Sequence, residues 1–317
     1  MDHAYRLRLW RHYGRLGFAL FAYLALTVLL QLGAQAAVLR WAPELADREW
    51  YDLALAMLPM YLIAFPLFLL LLPPAPPREL LPAKGRLSLK ELALFFLMCL
   101  GILYPGNLLG QGLDYLLGRV LRTPSLGNPL ESLATSADLR VYVLAAIVLG
   151  PILEELTFRK LLLDRMRSID TPSALVFSAL AFGLFHGNLI QFFYAFGVGL
   201  LFGIIYIKTG RVLYTMLLHV LVNAVGSLAA LLFLRNIDLS DPFSLLAPAL
   251  GMGLYVLLLL TGCLAGIVLM IKHRRRLTLS GEKGLLRPSD RVLLPFVNPG
   301  WVLFFFASLA LMFFHYR

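Results

Sequence analysis

The chain is a succession of apolar stretches long enough to cross a lipid bilayer, and this restricts its fold more than any other feature. Continuous apolar segments fall at 16–39, 51–72, 90–117, 139–163, 172–187, 189–207, 212–234, 245–271 and 292–314. A crossing helix needs about 20 apolar residues, and inside hydrocarbon every backbone N–H and C=O must find its partner within the protein. Helices meet that demand within a single segment. The predicted fold is therefore all-α, a polytopic integral membrane helical bundle of about nine transmembrane helices, with 1–317 forming one membrane domain. The composition agrees: 60% of residues are hydrophobic and 15% charged, against about 25% charged in soluble domains. The connections are too short to hold a sizeable soluble domain.

The formal charge of +10 sits in short clusters between the apolar segments: "RLRLWRHYGR", "RELLPAKGRLSLK", "RKLLLDRMR", "KTGR" and "KHRRR". With nine spans all of these fall on one side, which the positive-inside rule makes the cytoplasm. Acid-containing connections such as "WAPELADREWYD" and "RNIDLSDP" fall on the other. The expectation is a cytoplasmic N-terminus and no nucleic-acid partner. Arg119 and Arg122 lie on the far side, so an arrangement with eight spans stays open. Cys99 and Cys263 each fall inside an apolar segment without metal or disulfide spacing, and read as small buried side chains. The first apolar segment is too long for a signal-peptide core and is expected to be a retained helix. Gly197, Gly199 and Gly203 in "FGVGLLFG" permit close helix packing, expected here within one chain.

Ionisable groups deep in a bilayer are costly and mark functional sites. "EELTFR" places Glu154, Glu155 and Arg159 inside the fourth segment. Glu155 and Arg159 are four residues apart, share a helix face and can pair. Glu154, rotated about 100° from Glu155, is free to point elsewhere. Arg159 and Lys160 alone would read as charges snorkelling to the surface. "FGLFH" aligns Phe182 with His186, and "HVLVN" aligns His219 with Asn223, each pair on one face. A single histidine in such a helix is more often an interhelical hydrogen-bonding residue than a catalyst. Depth makes the set more specific: at 1.5 Å per residue, Glu154 and His186 lie roughly 20 Å from the basic flanks, Asn223 roughly 18 Å and His219 roughly 12 Å. All four can meet near mid-membrane. His3, His12, His273 and His315 lie in terminal or basic flanks and read as solvated. Asn107, Gln111 and Asp114 could line a cavity, with flanks that approach the outer surface.

A carboxylate held away from bulk water can act as a base towards a bound water. Imidazole can orient that water or pass a proton to a leaving amine, and a second imidazole with an amide can stabilise an oxyanion. No serine or cysteine nucleophile is required. Glu154, His186 and His219 are equally adequate zinc ligands with a position left for water, and spacing does not decide between the two chemistries. A third reading makes the polar groups an interhelical network in a scaffold, immunity or transport protein.

Taken in order, "EELTFR", "FGLFH" and "HVLVN" resemble the EExxxR, FxxxH and HxxxN motifs of the CAAX protease and bacteriocin-processing membrane proteins, the Abi or type II CAAX prenyl endopeptidase family. The resemblance covers about 139–230, with 1–138 and 235–317 as flanking helices. It implies an intramembrane endopeptidase of the glutamate type, with Glu154 as general base and His186 its partner in activating water. His219 and Asn223 would stabilise the oxyanion, with Glu155, Arg159 and Phe182 as supporting residues. It also favours a metal-free mechanism with no cofactor, zinc being the runner-up. The implied partners are the lipid bilayer and a membrane-associated protein or peptide substrate, a prenylated CAAX protein being one candidate. The expected location is a bacterial plasma membrane.

Overall fold

The computed structural model describes residues 3–75, 85–123, 134, 137–229, 231, 246–279, 284 and 286–314. In chain order the principal helices are α1 (His3–Trp41), α2 (Tyr51–Leu71), α3 (Leu89–Leu121), α4 (Leu139–Arg167), α5 (Thr171–Phe185), α6 (Leu189–Thr209), α7 (Val212–Ala229), α8 (Leu246–Lys272), α9 (Pro288–Phe296) and α10 (Pro299–Phe314). Among the described residues there is no strand, and Asp170 with Gly284 makes an isolated bridge. The all-helical membrane architecture is as expected from the apolar segments. Among the described residues six helices are long and apolar enough to cross a membrane, or seven if the bent pair α9 and α10 is one span. The α5 and α7 helices are apolar but shorter, so length and composition do not reach the expected count of nine.

The segment 292–314, expected as one span, is two helices meeting at 67°. Proline supplies the reason: Pro299 has no N–H to continue the preceding helix. Asn298 fills the gap, its amide donating to Leu294 O and Pro295 O while its Oδ1 accepts from Trp301 N at 2.9 Å. One side chain thus closes α9 and caps α10.

Short polar contacts define two ends of the bundle. At one, the His12 ring meets Arg165 O at 2.9 Å, Arg165 Nε donates to Pro73 O at 2.7 Å, and Lys208 donates to Arg276 O at 2.6 Å. These contacts gather the basic flanks of α1, α4, α6 and α8. At the other end Asp138 N donates to Glu49 O at 3.2 Å, and the Tyr142 and Ser227 hydroxyls meet at 2.8 Å. Caps fix the helix starts: the Asp138 carboxylate accepts from Arg140 N and Val141 N, and Asn188 Oδ1 accepts from Gln191 N. The main core joins α1, α2, α4, α5, α6, α9 and α10. Within it Gly199 faces the Ala179 backbone of α5, and Gly203 faces the Leu175 side chain. Those glycines serve packing within the chain.

Candidate active site

The α4 helix carries the first motif, and its backbone departs from α geometry where that matters. Residues 143–149 and 156–163 run in the wider π register, in which each N–H reaches five residues back. Gly150 N–H accordingly bonds to Ala145 O, and Pro151 has no N–H to offer. Ala146 O is left without a helical donor. Asn223 Nδ2 on α7 supplies one at 3.1 Å, satisfying a carbonyl that would otherwise be orphaned. The second π stretch shows the same logic, Ser178 Oγ of α5 donating to Phe158 O at 2.7 Å.

The two glutamates separate as helical phase predicts. Glu155 and Arg159 are both 0% exposed, with Arg159 Nε 3.1 Å from Glu155 Oε2. The guanidinium carbon stands 4.5 Å over the Phe182 ring and 5.7 Å from that of Phe202. Its terminal nitrogens have no hydrogen-bond partner among the described residues, so the aromatic faces and Glu155 are the stabilising contacts. Glu154 is different: its side chain is 24% exposed, and Oε2 lies 3.7 Å from His219 Nε2.

His219 stands between both acids, with Nδ1 3.2 Å from Glu155 Oε1. An ionised carboxylate only accepts, so Nδ1 carries the hydrogen of that contact. His186 follows the last residue of α5, where Gly187 at φ +62° turns the chain towards α6. His186 Nδ1 lies 2.7 Å from Phe182 O. The carbonyl fixes the hydrogen on Nδ1 and leaves the Nε2 lone pair of the neutral ring available. Phe182 joins the group, its ring 4.8 Å from that of His186 and 5.7 Å from that of His219, both edge-on.

Glu154, His186, His219, Asn223 and Phe182 all line one cavity of about 710 Å³. Asn107 and Gln111 line it too, which the sequence left open beside their approach to the outer surface. Sequence reading did not foresee Gln31 and Gln191 on the same wall, the Ala146 carbonyl, or the Phe202 face against Arg159. A glutamine inside an apolar segment was the available signal for the first two. Among the described residues no group of three or more His, Cys, Asp or Glu side chains is placed to hold a metal ion.

Fold and site together define a helical integral membrane protein with acid, imidazole and amide groups around one internal cavity. Residues 136–225 match the family model described as type II CAAX prenyl endopeptidase Rce1-like, a stretch that contains all three motifs. That stretch of the chain is thus similar to the CAAX protease family, which supports a membrane protease activity in general terms. No curated protein and no solved structure matches the chain.

Proposed function

We propose that the protein is an intramembrane endopeptidase of the glutamate type, hydrolysing a peptide bond in a membrane-associated protein or peptide without a metal ion. The observation that carries this reading is the asymmetry of the adjacent acids: Glu155 is sealed against Arg159, while Glu154 is 24% exposed at the cavity. A carboxylate that only served structure would not need the open position.

In this mechanism a water held by Glu154 and His186 Nε2 attacks the scissile carbonyl carbon, and its proton passes to Glu154. Asn223 has two amide hydrogens; one is engaged by Ala146 O, and the other is available to the oxyanion. His219, held through Nδ1 by Glu155, donates from Nε2 to the same oxyanion as an imidazolium, the form in which both ring nitrogens carry hydrogen. Collapse of the tetrahedral intermediate breaks the C–N bond, and the proton on Glu154 is delivered to the leaving amine. The ring of His186 is the second carrier for that proton. The metal-free reading is supported by the resemblance of the three motifs to the glutamate-type family.

All nine apolar segments are taken as crossings, α5 and α7 as short ones and α9 with α10 as a bent one. A bacterial plasma membrane with the N-terminus in the cytoplasm is the accompanying assignment. The test is Glu154→Gln, which keeps the side chain's shape and removes its basicity. Cleavage should fall roughly 10²–10⁴-fold while the protein still inserts and accumulates. Full activity in that variant would refute the mechanism, and complementation by it would favour a scaffold or transport role. Stoichiometric zinc lost together with activity would restore the metalloprotease alternative.

A further inference from the structure

Among the described residues, the cavity lining extends from the acid and histidines towards one end of the bundle only. On the floor, Phe158 lies nine residues before Arg167, Phe182 eleven after Thr171, and Val198 eleven before Thr209. At 1.5 Å per residue, about 13 Å or more of helix separates the floor from the basic end. That depth is filled by buried Leu162, Leu163, Met166, Phe177, Ile205 and Tyr206. In the other direction the lining reaches Leu53, Tyr142, Gln191 and Ser227, each within four residues of the end of its helix.

The cause is the length of α5. It starts at the basic end, where Asp170 caps it and pairs with Arg291, and it has 15 residues. A helix of that length spans about 22 Å, short of the roughly 30 Å hydrocarbon core. Its tip at His186 therefore stops below the far surface, and the space above the tip is the cavity. The upper wall carries the amides Gln31, Asn107, Gln111 and Gln191, and among the described residues no lysine, arginine or aspartate lines the cavity. Amides donate and accept without charge, which matches the peptide groups of an extended chain. The basic end faces the cytoplasm under the positive-inside rule.

We infer that the site opens to the extracytoplasmic face and cuts a polypeptide segment entering from that side, extended where it passes the amides. This rests on the endopeptidase reading above and specifies its substrate. A polypeptide tail presented from the cytoplasm would meet the closed, basic end.

The experiment uses full-length protein with Cys99 and Cys263 replaced by alanine, and single cysteines at Gln111→Cys, Ser227→Cys and, at the basic end, Arg275→Cys. A membrane-impermeant thiol reagent is applied to right-side-out and to inside-out membrane vesicles. Gln111→Cys and Ser227→Cys should react in right-side-out vesicles, and Arg275→Cys in inside-out vesicles alone. In parallel, membrane peptides are compared between cells carrying wild type and Glu154→Gln, and the new termini are mapped. A wild-type-specific cut in an extracytoplasmic stretch is expected. Reaction of the mouth cysteines only from the cytoplasmic side would overturn the inference, as would a cut in a cytoplasmic tail. Extracytoplasmic labelling with no Glu154-dependent fragment would instead overturn the endopeptidase reading and leave the orientation standing.

Discussion

Along α4 two buried acidic sites are built on opposite plans. Near the basic end Asp164 receives Lys160 Nζ at 2.8 Å, Arg167 Nε at 3.0 Å and the Tyr206 hydroxyl at 2.9 Å. Two hydrogen-bond donors and an ion-paired guanidinium surround one carboxylate, which is not among the residues lining the site cavity. Two to three turns away, Glu155 and Glu154 share a smaller supply. Glu155 takes Arg159 and His219 Nδ1, leaving Glu154 with His219 Nε2 at 3.7 Å, beyond ordinary hydrogen-bond length. A fully compensated acid holds helices together; an under-compensated one beside a cavity is available to react.

Removing Arg159 should produce the largest loss of stability. Breaking a buried pair leaves an uncompensated charge and costs about 3–5 kcal/mol, so Arg159→Ala should lower the unfolding midpoint in detergent far more than a surface change. Replacing both partners, Glu155→Leu with Arg159→Met, should recover much of that stability, since apolar groups of similar volume can substitute for a buried pair. Cleavage should stay low in the double variant, because His219 has lost the acceptor that orients it. Recovery of cleavage would show that Glu155 and Arg159 are structural only.

Asp164→Asn comes next. It keeps the shape and weakens charge-assisted hydrogen bonds, so a loss of about 1–3 kcal/mol is expected. The kcat per folded molecule should not change. If cleavage fell as far as in Glu154→Gln, the division between the two ends of α4 would fail.

The helical period was enough to separate Glu154 from Glu155 and to pair Glu155 with Arg159, because both depend on one helix alone. The grouping of Phe182 with His186 and of His219 with Asn223 was legible for the same reason. What needed coordinates were the relations between helices. His219 lies between two acids because of the rotation of α7 against α4, which no spacing within α7 reveals. Phe182 touches Arg159, His186 and His219, a role hidden behind its ordinary place in an apolar run. The break at Asn298 was written as "NPG", yet hydropathy alone carries the segment straight through it. The short α5, which shapes the cavity, reads in sequence as one more apolar stretch.

The smallest expected effect tests the link between backbone register and chemistry. Pro151→Ala adds an N–H that, in the π register around it, faces Ala146 O and competes with Asn223 Nδ2. Losing one neutral hydrogen bond is worth about 1 kcal/mol, which corresponds to about a fivefold change in rate when the bond positions a transition-state donor. Removing proline from a helix interior should meanwhile leave the fold at least as stable. The distinguishing result is a roughly fivefold fall in kcat with KM and the unfolding midpoint held or improved. An unchanged kcat would mean that Asn223 is positioned by α7 alone, and that the Ala146 carbonyl is a structural contact beside the chemistry.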